Sequence, residues 1–468
     1  MITLDPFLHE WDERFHALVA KNMITSPFKP MLRVDPVGGW IPEAWCCNHV
    51  WVHKQPLFLW QIALSLKIFG LKVWAVRVPS AILGALSILL SYDITRLWTR
   101  NKIASITAAA LTCFSYFQLE LISGRLSLEH NDLSFYFYVS ASIWAFLKYR
   151  ENLRIRWAVL VGLCVGAAIL VKWMTGLIVY GGWGLFILSN NQSRLSLKYY
   201  LHLSLSMIIS ILVFLPWQIY ISLAFPIESA ITHDSNWRHI TEAIGHHSGD
   251  LWFHIIAIRD TLGLHLIPFL LIGIIRLFTD HRISNRINLS HLSMITVVIL
   301  FFTLVKTKMP AFTYVINILL ISICALGIST VFDLLKKILG LYNIYLFVFI
   351  PMLTYLIFLT FNPLDIIKYR EDSNLLRAAK IANTEFYKGM DKTVNENTVI
   401  LNSKKFEGVE ILFYNDYKLY TWFPDQRELD SLISEGYNFA AFTSNKYYDM
   451  PNHIKIDPRV QKISYELK

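Results

Sequence analysis

Long apolar stretches alternate with short charged segments along most of this 468-residue sequence. A helix of about 20 mostly apolar residues is long enough to cross the hydrocarbon core of a bilayer. Ten stretches approach that length and are predicted to be transmembrane helices, at about 75–98, 103–123, 131–149, 157–172, 175–189, 201–222, 261–278, 289–306, 310–330 and 343–362. The predicted fold class is therefore mainly α, a polytopic transmembrane helical bundle.

Lysine and arginine cluster on every second loop between these stretches. The clusters lie at 96–102, 148–156, 194–198, 276–286 and 336–337. Because short loops rich in Lys and Arg face the cytoplasm, the other segments are predicted to lie outside, namely 1–74, 124–130, 173–174, 223–260, 307–309 and the tail from 363. The net charge of +9 reflects this topology and does not indicate a nucleic-acid partner.

The two ends of the chain differ from the spans. Residues 14–24 are predicted to be helical, and 56–70 are apolar but too short to span, as in an interfacial amphipathic helix. Beyond 362 the composition is that of a small soluble α/β module, with a helix at 372–388 and strands at 398–401 and 439–442. We therefore predict a membrane domain at 1–362 and an extracytoplasmic domain at 363–468. An outward Asp12 also implies a further span before it, which a truncated N-terminus would explain.

The first candidates for chemistry are Asp12 and Glu13, which begin the outer helix. Acidic residues there can simply cap the helix and complement its dipole. A functional role is favoured because the motif His53-Lys54-Gln55-Pro56 is predicted to lie on the same side of the membrane. A carboxylate pair and a lysine near a membrane surface suit a reaction in which a base activates a nucleophile and a cation holds a departing phosphate.

Charged residues also crowd two later outer turns. Glu129 can be explained as a membrane-surface anchor, whereas Asp132, one step into a span, is costly there and is a functional candidate. Lys306 and Lys308 share a short outward turn and indicate an anionic ligand. The outer segment 226–260 holds five histidines, including His246 and His247, but their spacing fixes no metal geometry. A divalent metal stays possible, and no other cofactor is predicted.

Several short motifs follow one another in a recognisable order: Trp11–Ala17, His53–Trp60, Arg77–Ser80, Arg125–Asp132, Leu170–Lys172 and Lys306–Tyr314. This ordered set resembles the GT-C glycosyltransferases that use polyprenyl-phosphate sugars, especially the branch of the lipid A aminoarabinose transferase and the protein O-mannosyltransferases. That family usually has Glu-Lys-Pro-Pro where this chain has His53-Lys54-Gln55-Pro56. The family's Glu helps to bind a metal in the aminoarabinose transferase, so a metal here would use His53 instead.

The resemblance implies a bacterial cytoplasmic-membrane enzyme whose active site faces the periplasm. It would move a sugar, with inversion, from a polyprenyl-phosphate donor to a lipid, glycan or protein acceptor. The resemblance implies that Asp12 acts as the general base or orients the acceptor, and that Lys54, with Arg125 or Lys306, stabilises the departing phosphate. With the candidates argued above from the residues, the predicted catalytic residues are Asp12, Glu13 and Asp132, and the predicted phosphate-binding residues are Lys54, Arg125, Lys306 and Lys308. A transporter or flippase of lipid-linked saccharides is the alternative, but it is expected to have mid-span ionisable residues and repeated halves. A non-catalytic scaffold would leave Asp12 and Lys54 dispensable.

Overall fold

The computed structural model describes most of the chain. The described residues are 1–34, 36–37, 48–172, 174–338, 340, 345–361, 363–371, 373–395, 398–403, 407–420, 423–443 and 450–467. Trp173, at the turn between two predicted spans, lies outside these ranges. All structural statements below concern the described residues.

Two helices lie in the N-terminal segment before the first long apolar helix. Helix α1 (Asp12–Met23) begins with two acidic residues in its first turn, where they complement the helix dipole. Helix α2 (Pro56–Phe69) has proline at its first position and ends at Gly70, whose φ of 82° suits glycine. The expected helices at 14–24 and 56–70 are both present.

The central part of the chain is a series of helices. They are α3 (Val73–Thr99), α4 (Lys102–Cys113), α5 (Tyr116–Ile122), α6 (Asp132–Asn152), α7 (Ile155–Lys172), α8 (Ile178–Leu188), α9 (Asn191–Arg194), α10 (Leu197–Ala224), α11 (Pro226–Thr241), α12 (Phe253–Leu262), α13 (Ile267–Thr279), α14 (Asn285–Leu304), α15 (Asn317–Ile338) and α16 (Tyr345–Phe361). Short 3-10 helices precede α6, α8, α13 and α15.

Fewer helices than the ten predicted are long and apolar enough to span a membrane. In the described part of the chain six helices meet that description, and two bent pairs raise the number to eight. The pair α4–α5 bends by 44°, and the pair made by α12 and the helical stretch Leu264–Thr279 bends by 91°. The remaining two predicted spans correspond to α6, which is rich in Tyr and Ser and mostly buried in protein, and to α8, which is short.

The C-terminal part is a small α/β unit. Its helices are α17 (Pro363–Lys368), α18 (Leu375–Lys388), α19 (Glu407–Tyr414), α20 (Gln426–Ser434) and α21 (Asn452–Ile456). Its strands are β1 (Thr398–Leu401), β2 (Lys418–Leu419), β3 (Asn438–Phe442) and β4 (Val460–Ile463), which form a parallel sheet in the order β2-β1-β3-β4. The mainly helical fold class with a small C-terminal sheet is confirmed, while the domain boundary at 362/363 stays a prediction.

Helix α1 joins the two parts. It packs against α2, which packs against the membrane helices α3 and α7, and on another side it packs against α19 of the C-terminal unit. The side chains of α1 are consequently buried along almost its whole length, including charged residues. The candidate residues Asp12 and Glu13 therefore lie between the helical bundle and the C-terminal unit.

Candidate active site

The first turn of α1 presents Asp12 to the loop before α2. The Lys54 ammonium lies 2.5 Å from Asp12 Oδ2. The lysine side chain is one-quarter exposed, whereas Asp12 is buried. The next residue, Gln55, accepts a 2.7 Å hydrogen bond from the Gln218 amide of α10, which ties this loop to the membrane helices. The two residues predicted to act together are thus in direct contact.

A second pair of the same kind lies at the ends of two neighbouring helices. Asp132 is the first residue of α6, and Lys172 is the last residue of α7. The Lys172 ammonium contacts both oxygens of Asp132, at 2.6 and 2.8 Å, and lies 5.0 Å from the ring centre of Phe312. Each charge complements the dipole of its own helix. Lys172 was not among the predicted site residues.

Glu129 links the two pairs. Its Oε1 accepts a 2.8 Å hydrogen bond from the Ala311 N–H. Burial, and then the negative charge of Asp132, raise the pKa of Glu129 to about 7, and the charges of Lys172 and Asp12 also act on it. Lys54 in turn interacts electrostatically with Asp132. We call this group the lysine–carboxylate cluster; its members are Asp12, Lys54, Glu129, Asp132 and Lys172.

Glu13 belongs to a different group. Its carboxylate accepts from the Arg77 guanidinium at 2.7 and 3.1 Å, and both side chains are fully buried. Burial alone would raise the pKa of Glu13, but Arg77 holds it below its ordinary value. Nearby, Arg370 pairs with Asp5 and Glu120. We call these residues the arginine network: Asp5, Glu13, Arg77, Glu120 and Arg370. The structure thus places Glu13 in a buried ion pair.

The other predicted phosphate-binding residues lie in three different settings. Arg125 pairs with Glu120 and donates a 2.8 Å hydrogen bond to the Tyr116 hydroxyl, so it lies at the edge of the arginine network. The Lys308 ammonium donates to the carbonyls of Phe302 and Thr303 at 2.8 and 2.6 Å, which caps the C-terminus of α14. Lys306 is exposed on the same turn.

The segment that contains α11 also approaches the cluster, through this turn. The backbone N–H groups of Lys306 and Thr307 donate to the carbonyls of Ile240 and His239. Burial, and then the charge of Lys54, lower the pKa of His239, and the charge of Lys172 adds to the effect. His239 therefore lies near both lysines of the cluster, and it was not among the predicted site residues.

The histidines named as possible metal ligands do not converge. His53 Nε2 is 3.2 Å from the Asn48 amide, and burial followed by the charge of Lys54 lowers the pKa of His53 to about 4. His246 is exposed and His247 half-buried. Among the described residues no three His, Cys, Asp or Glu side chains come together in a way that could hold a metal ion. The described residues therefore do not fit a divalent-metal site.

Glu129, Lys172 and His239 escaped prediction for one physical reason. Glu129 and Lys172 lie at the ends of spans and His239 lies in the segment between two spans, where a charged or polar side chain is ordinary. The sequence feature that could have identified Lys172 is its place in the motif Leu170–Lys172, which is one of the ordered motifs. Its pairing with Asp132, 40 residues away, depends on the packing of α6 against α7.

Sequence comparison finds similarity to a described family and to curated proteins. Residues 53–220 match the family model described as dolichyl-phosphate-mannose-protein mannosyltransferase. A curated arabinosyl transferase of undecaprenyl phosphate-α-4-amino-4-deoxy-L-arabinose from Pseudomonas fluorescens is 27% identical over 44% of this chain and 35% of its own length. A protein with the same named activity from Pseudomonas aeruginosa is 31% identical over 34% of this chain and 28% of its own. The matches thus span about a third of these relatives' length.

Structure comparison extends the likeness to nearly the whole chain. ArnT from Cupriavidus metallidurans bound to undecaprenyl phosphate superimposes with a TM-score of 0.63 at 16% identity, covering 93% of this chain and 85% of ArnT. The chain has the GT-C fold. The archaeal oligosaccharyltransferase AglB from Archaeoglobus fulgidus, in complex with an inhibitory peptide and a dolichol-phosphate, gives 0.54 at 14% identity over 88% of this chain and 61% of AglB. Within this GT-C chain the lysine–carboxylate cluster lies at one end of the helical bundle.

Proposed function

We propose that this chain is an integral membrane glycosyltransferase that moves a sugar from a polyprenyl-phosphate donor to an envelope lipid, glycan or protein acceptor, with inversion. The observation that carries the proposal is the meeting of two lysine–carboxylate pairs, Asp12–Lys54 and Asp132–Lys172, at one end of a GT-C bundle. The donors named for the curated relatives and the lipid phosphates bound in the two solved structures support this donor class.

The chemistry follows from how the lysines are held. Both lysine side chains are about one-quarter exposed while their carboxylates are buried, so an incoming phosphate can reach the lysines. When Lys54 turns to the phosphate, Asp12 is released to orient the acceptor or to accept its proton. The acceptor oxygen then attacks the anomeric carbon from the opposite side, and the C–O bond to phosphate breaks. The departing phosphate keeps the electron pair and is stabilised by Lys54 and Lys172.

An apolar groove beside the cluster supports a lipid-linked donor. This cavity of about 660 Å³ is bounded by the loop at 26–29 and by helices α2, α7 and α10, and its aromatic lining is Phe28, Trp60, Trp217 and Tyr220. Leu170, two residues before Lys172, also lines it. An isoprenoid chain in the groove would bury apolar surface while its phosphate faced the lysines.

We further propose that the cluster faces outward from a bacterial cytoplasmic membrane, because the Lys/Arg-rich loops alternate on the other side. Single cysteines at the exposed positions Thr241, Ser434 and Asn285, in a background without the native cysteines, test this orientation. A membrane-impermeant thiol reagent applied to intact cells should label positions 241 and 434 but not 285. Labelling at 285 alone would reverse the proposed orientation.

The activity is tested with the donor named for the curated relatives. Purified protein in nanodiscs is incubated with undecaprenyl-phosphate aminoarabinose and an envelope lipid and glycoprotein extract, and mass spectrometry follows undecaprenyl phosphate and the modified acceptor. We expect donor consumption that Asp12→Asn lowers by at least about 100-fold, with Asp430→Asn, at an exposed ion pair of the C-terminal unit, as a matched control. Absence of donor consumption, together with binding of undecaprenyl phosphate that does not depend on Lys54 or Lys172, would contradict the proposal.

A further inference from the structure

Consecutive residues of α1 are held by different parts of the protein. Glu13 is paired with Arg77 of membrane helix α3. The next residue, Arg14, points to the C-terminal unit, where its guanidinium lies 3.2 Å from Glu407 Oε1 and 3.0 Å from Glu410 Oε2. Arg14 and Glu410 are each 1% exposed. The turn that carries Asp12 is therefore attached both to the bundle and to α19.

The two carboxylates that hold Arg14 are themselves oriented by neighbours. The Tyr387 hydroxyl donates to Glu407 Oε2 at 2.9 Å, and the Thr384 hydroxyl donates to Glu410 Oε1 at 2.6 Å. Both donors lie on α18. The C-terminal unit thus presents a preformed receptor for one guanidinium. A planar guanidinium bound to two fixed carboxylates has little freedom to rotate or to slide.

Other ion pairs join the same two surfaces. They connect C-terminal side chains with the segment around α1, as Lys21–Asp416 at 2.9 Å, Glu10–Lys380 at 3.2 Å and Asp5–Arg370 at 3.0 Å. All three N-terminal partners lie within the first 23 residues. The C-terminal unit therefore contacts the segment that carries Asp12 on both sides of that residue.

The backbone next to Asp12 needs such support. Trp11 has φ 67° and ψ −133°, a combination that a residue with a side chain rarely adopts. A strained residue of this kind persists only where the surrounding structure fixes it, and strain of this kind is found at functional sites. The strained residue directly precedes Asp12, so the direction of the Asp12 carboxylate depends on contacts that hold the first turn of α1 in place.

We propose that the C-terminal unit is a positioning element of the active site, in which Glu407 and Glu410 hold Arg14 and thereby fix Asp12 against Lys54. A buried ion pair contributes little net stability compared with apolar packing but can specify geometry. Arg14, Glu407 and Glu410 are thus positioning residues. The inference rests on the proposed transferase function for its effect on rate, whereas its geometric part can be measured without transfer.

The geometric test is competitive labelling of Lys54 with acetic anhydride in the whole protein, quantified by mass spectrometry. Glu407→Gln leaves Arg14 with Glu410 as a one-to-one pair, so the fold is expected to survive. If Asp12 moves away from Lys54, the ammonium loses its partner and labelling should accelerate by about two- to fivefold, the range that a partly exposed ion pair is worth. Asp430→Asn, which removes the exposed Asp430–Arg459 pair in the same unit, should leave the labelling rate unchanged.

The same variants are then assayed for transfer. Glu407→Gln should lower kcat by about 10- to 100-fold, the cost of a small misplacement at a reacting centre, with little change in the donor KM. Arg14→Lys keeps the charge but loses the planar fork, so it should behave similarly and serves as the second variant if Glu407→Gln does not fold.

Two results would overturn the inference. One is unchanged Lys54 labelling and unchanged kcat in folded Glu407→Gln or Arg14→Lys protein. The other is a raised donor KM with normal kcat, since that places the C-terminal unit in binding rather than in positioning. If the wild-type protein shows no transfer at all, the proposed function fails while the labelling comparison still decides whether the C-terminal unit fixes Asp12 against Lys54.

Discussion

The lysine–carboxylate cluster and the arginine network use the same kinds of charge in opposite ways. In the cluster the cations are lysines, with 25% and 26% of their side chains exposed. In the network they are Arg77 and Arg370, with 0% and 8% exposed. A lysine is a flexible point charge that can change partners, whereas a buried arginine is locked by several hydrogen bonds. The comparison indicates that the lysines of the cluster can exchange partners, whereas the arginines of the network hold their partners in one geometry.

The boundary between the two groups falls between adjacent residues. Asp12 belongs to the cluster and Glu13 to the network, although both lie in the first turn of α1. Arg77 also donates to the backbone carbonyls of Asp5 and Phe7, at 2.7 and 2.8 Å, so it fixes the segment leading into that turn. Neighbouring carboxylates can thus have separate roles, one available for chemistry and the other holding the helix that carries it.

The largest effect is expected from breaking the network. Arg77→Met leaves the buried Glu13 carboxylate without a cation and should destabilise the protein by about 3–5 kcal/mol. Thermal unfolding in detergent measures the change. The matched control is Arg238→Met, which removes an ion pair with Glu242 that is exposed on both sides and should change the unfolding temperature little. Equal unfolding temperatures for the two variants would show that the network is not rigid.

The next largest effect is expected from Asp12. Asp12→Asn should lower transfer by at least about 100-fold, the usual scale for a positioned acid–base group, while an amide at the helix start preserves the fold. The rate of donor consumption is the measurement. Asp430→Asn is the control, since it makes the same carboxylate-to-amide change at an exposed ion pair of the C-terminal unit. Near-normal transfer by folded Asp12→Asn protein would leave Asp12 as an acidic first-turn residue that complements the helix dipole, and Glu129 and Asp132 would become the candidates for the catalytic carboxylate.

The sequence predicts the elements of this site better than its pairings. Local patterns are sufficient for α1, α2 and the strands at 398–401 and 439–442, because apolar spacing and a helix-starting proline act over a few residues. Side chains are paired over much longer separations. Asp12 and Lys54 are 42 residues apart, and Arg14 and Glu407 are 393 apart. Lys308 shows the consequence, since the sequence does not reveal that its ammonium donates to two backbone carbonyls at the end of α14.

A smaller effect is expected from the cations of the cluster. Lys54→Ala and Lys172→Ala should each weaken binding of undecaprenyl phosphate by about 10- to 100-fold, the value of one hydrogen bond to a charged group. Lys54→Arg should restore binding only in part, because a planar fork replaces a point charge. Equilibrium binding in nanodiscs measures the affinities.

The variants Lys308→Met and Lys306→Ala test whether the lipid phosphate binds only at the cluster or also at the turn that holds these two lysines. Because the Lys308 ammonium is already bound to two carbonyls, its removal should lower stability but leave the affinity for the lipid phosphate unchanged. Lys306 is exposed, so an effect of Lys306→Ala on affinity would extend the phosphate site onto the turn. Equal losses of affinity for undecaprenyl phosphate in the Lys54, Lys172 and Lys308 variants would contradict the distinction between exchangeable and structural lysines.

The smallest effect concerns Glu129, the member of the cluster with no cation directly bound to its carboxylate. Its pKa rises from the ordinary 4.5 to about 7, so the folded protein keeps a proton that the unfolded chain releases. Stability should therefore fall as pH rises from about 4.5 to 7, by on the order of 1 kcal/mol once water near the carboxyl is allowed for. Glu129→Gln, which mimics the protonated form, should match the wild type at pH 5 and unfold at a higher temperature at pH 8. For Glu435→Gln, an exposed control, the difference in unfolding temperature from the wild type should not depend on pH. The unfolding temperatures of Glu129→Gln and of the wild type could instead differ by the same amount at both pH values. That result would mean that Glu129 is charged throughout, as a carboxylate bound to Lys172 would be.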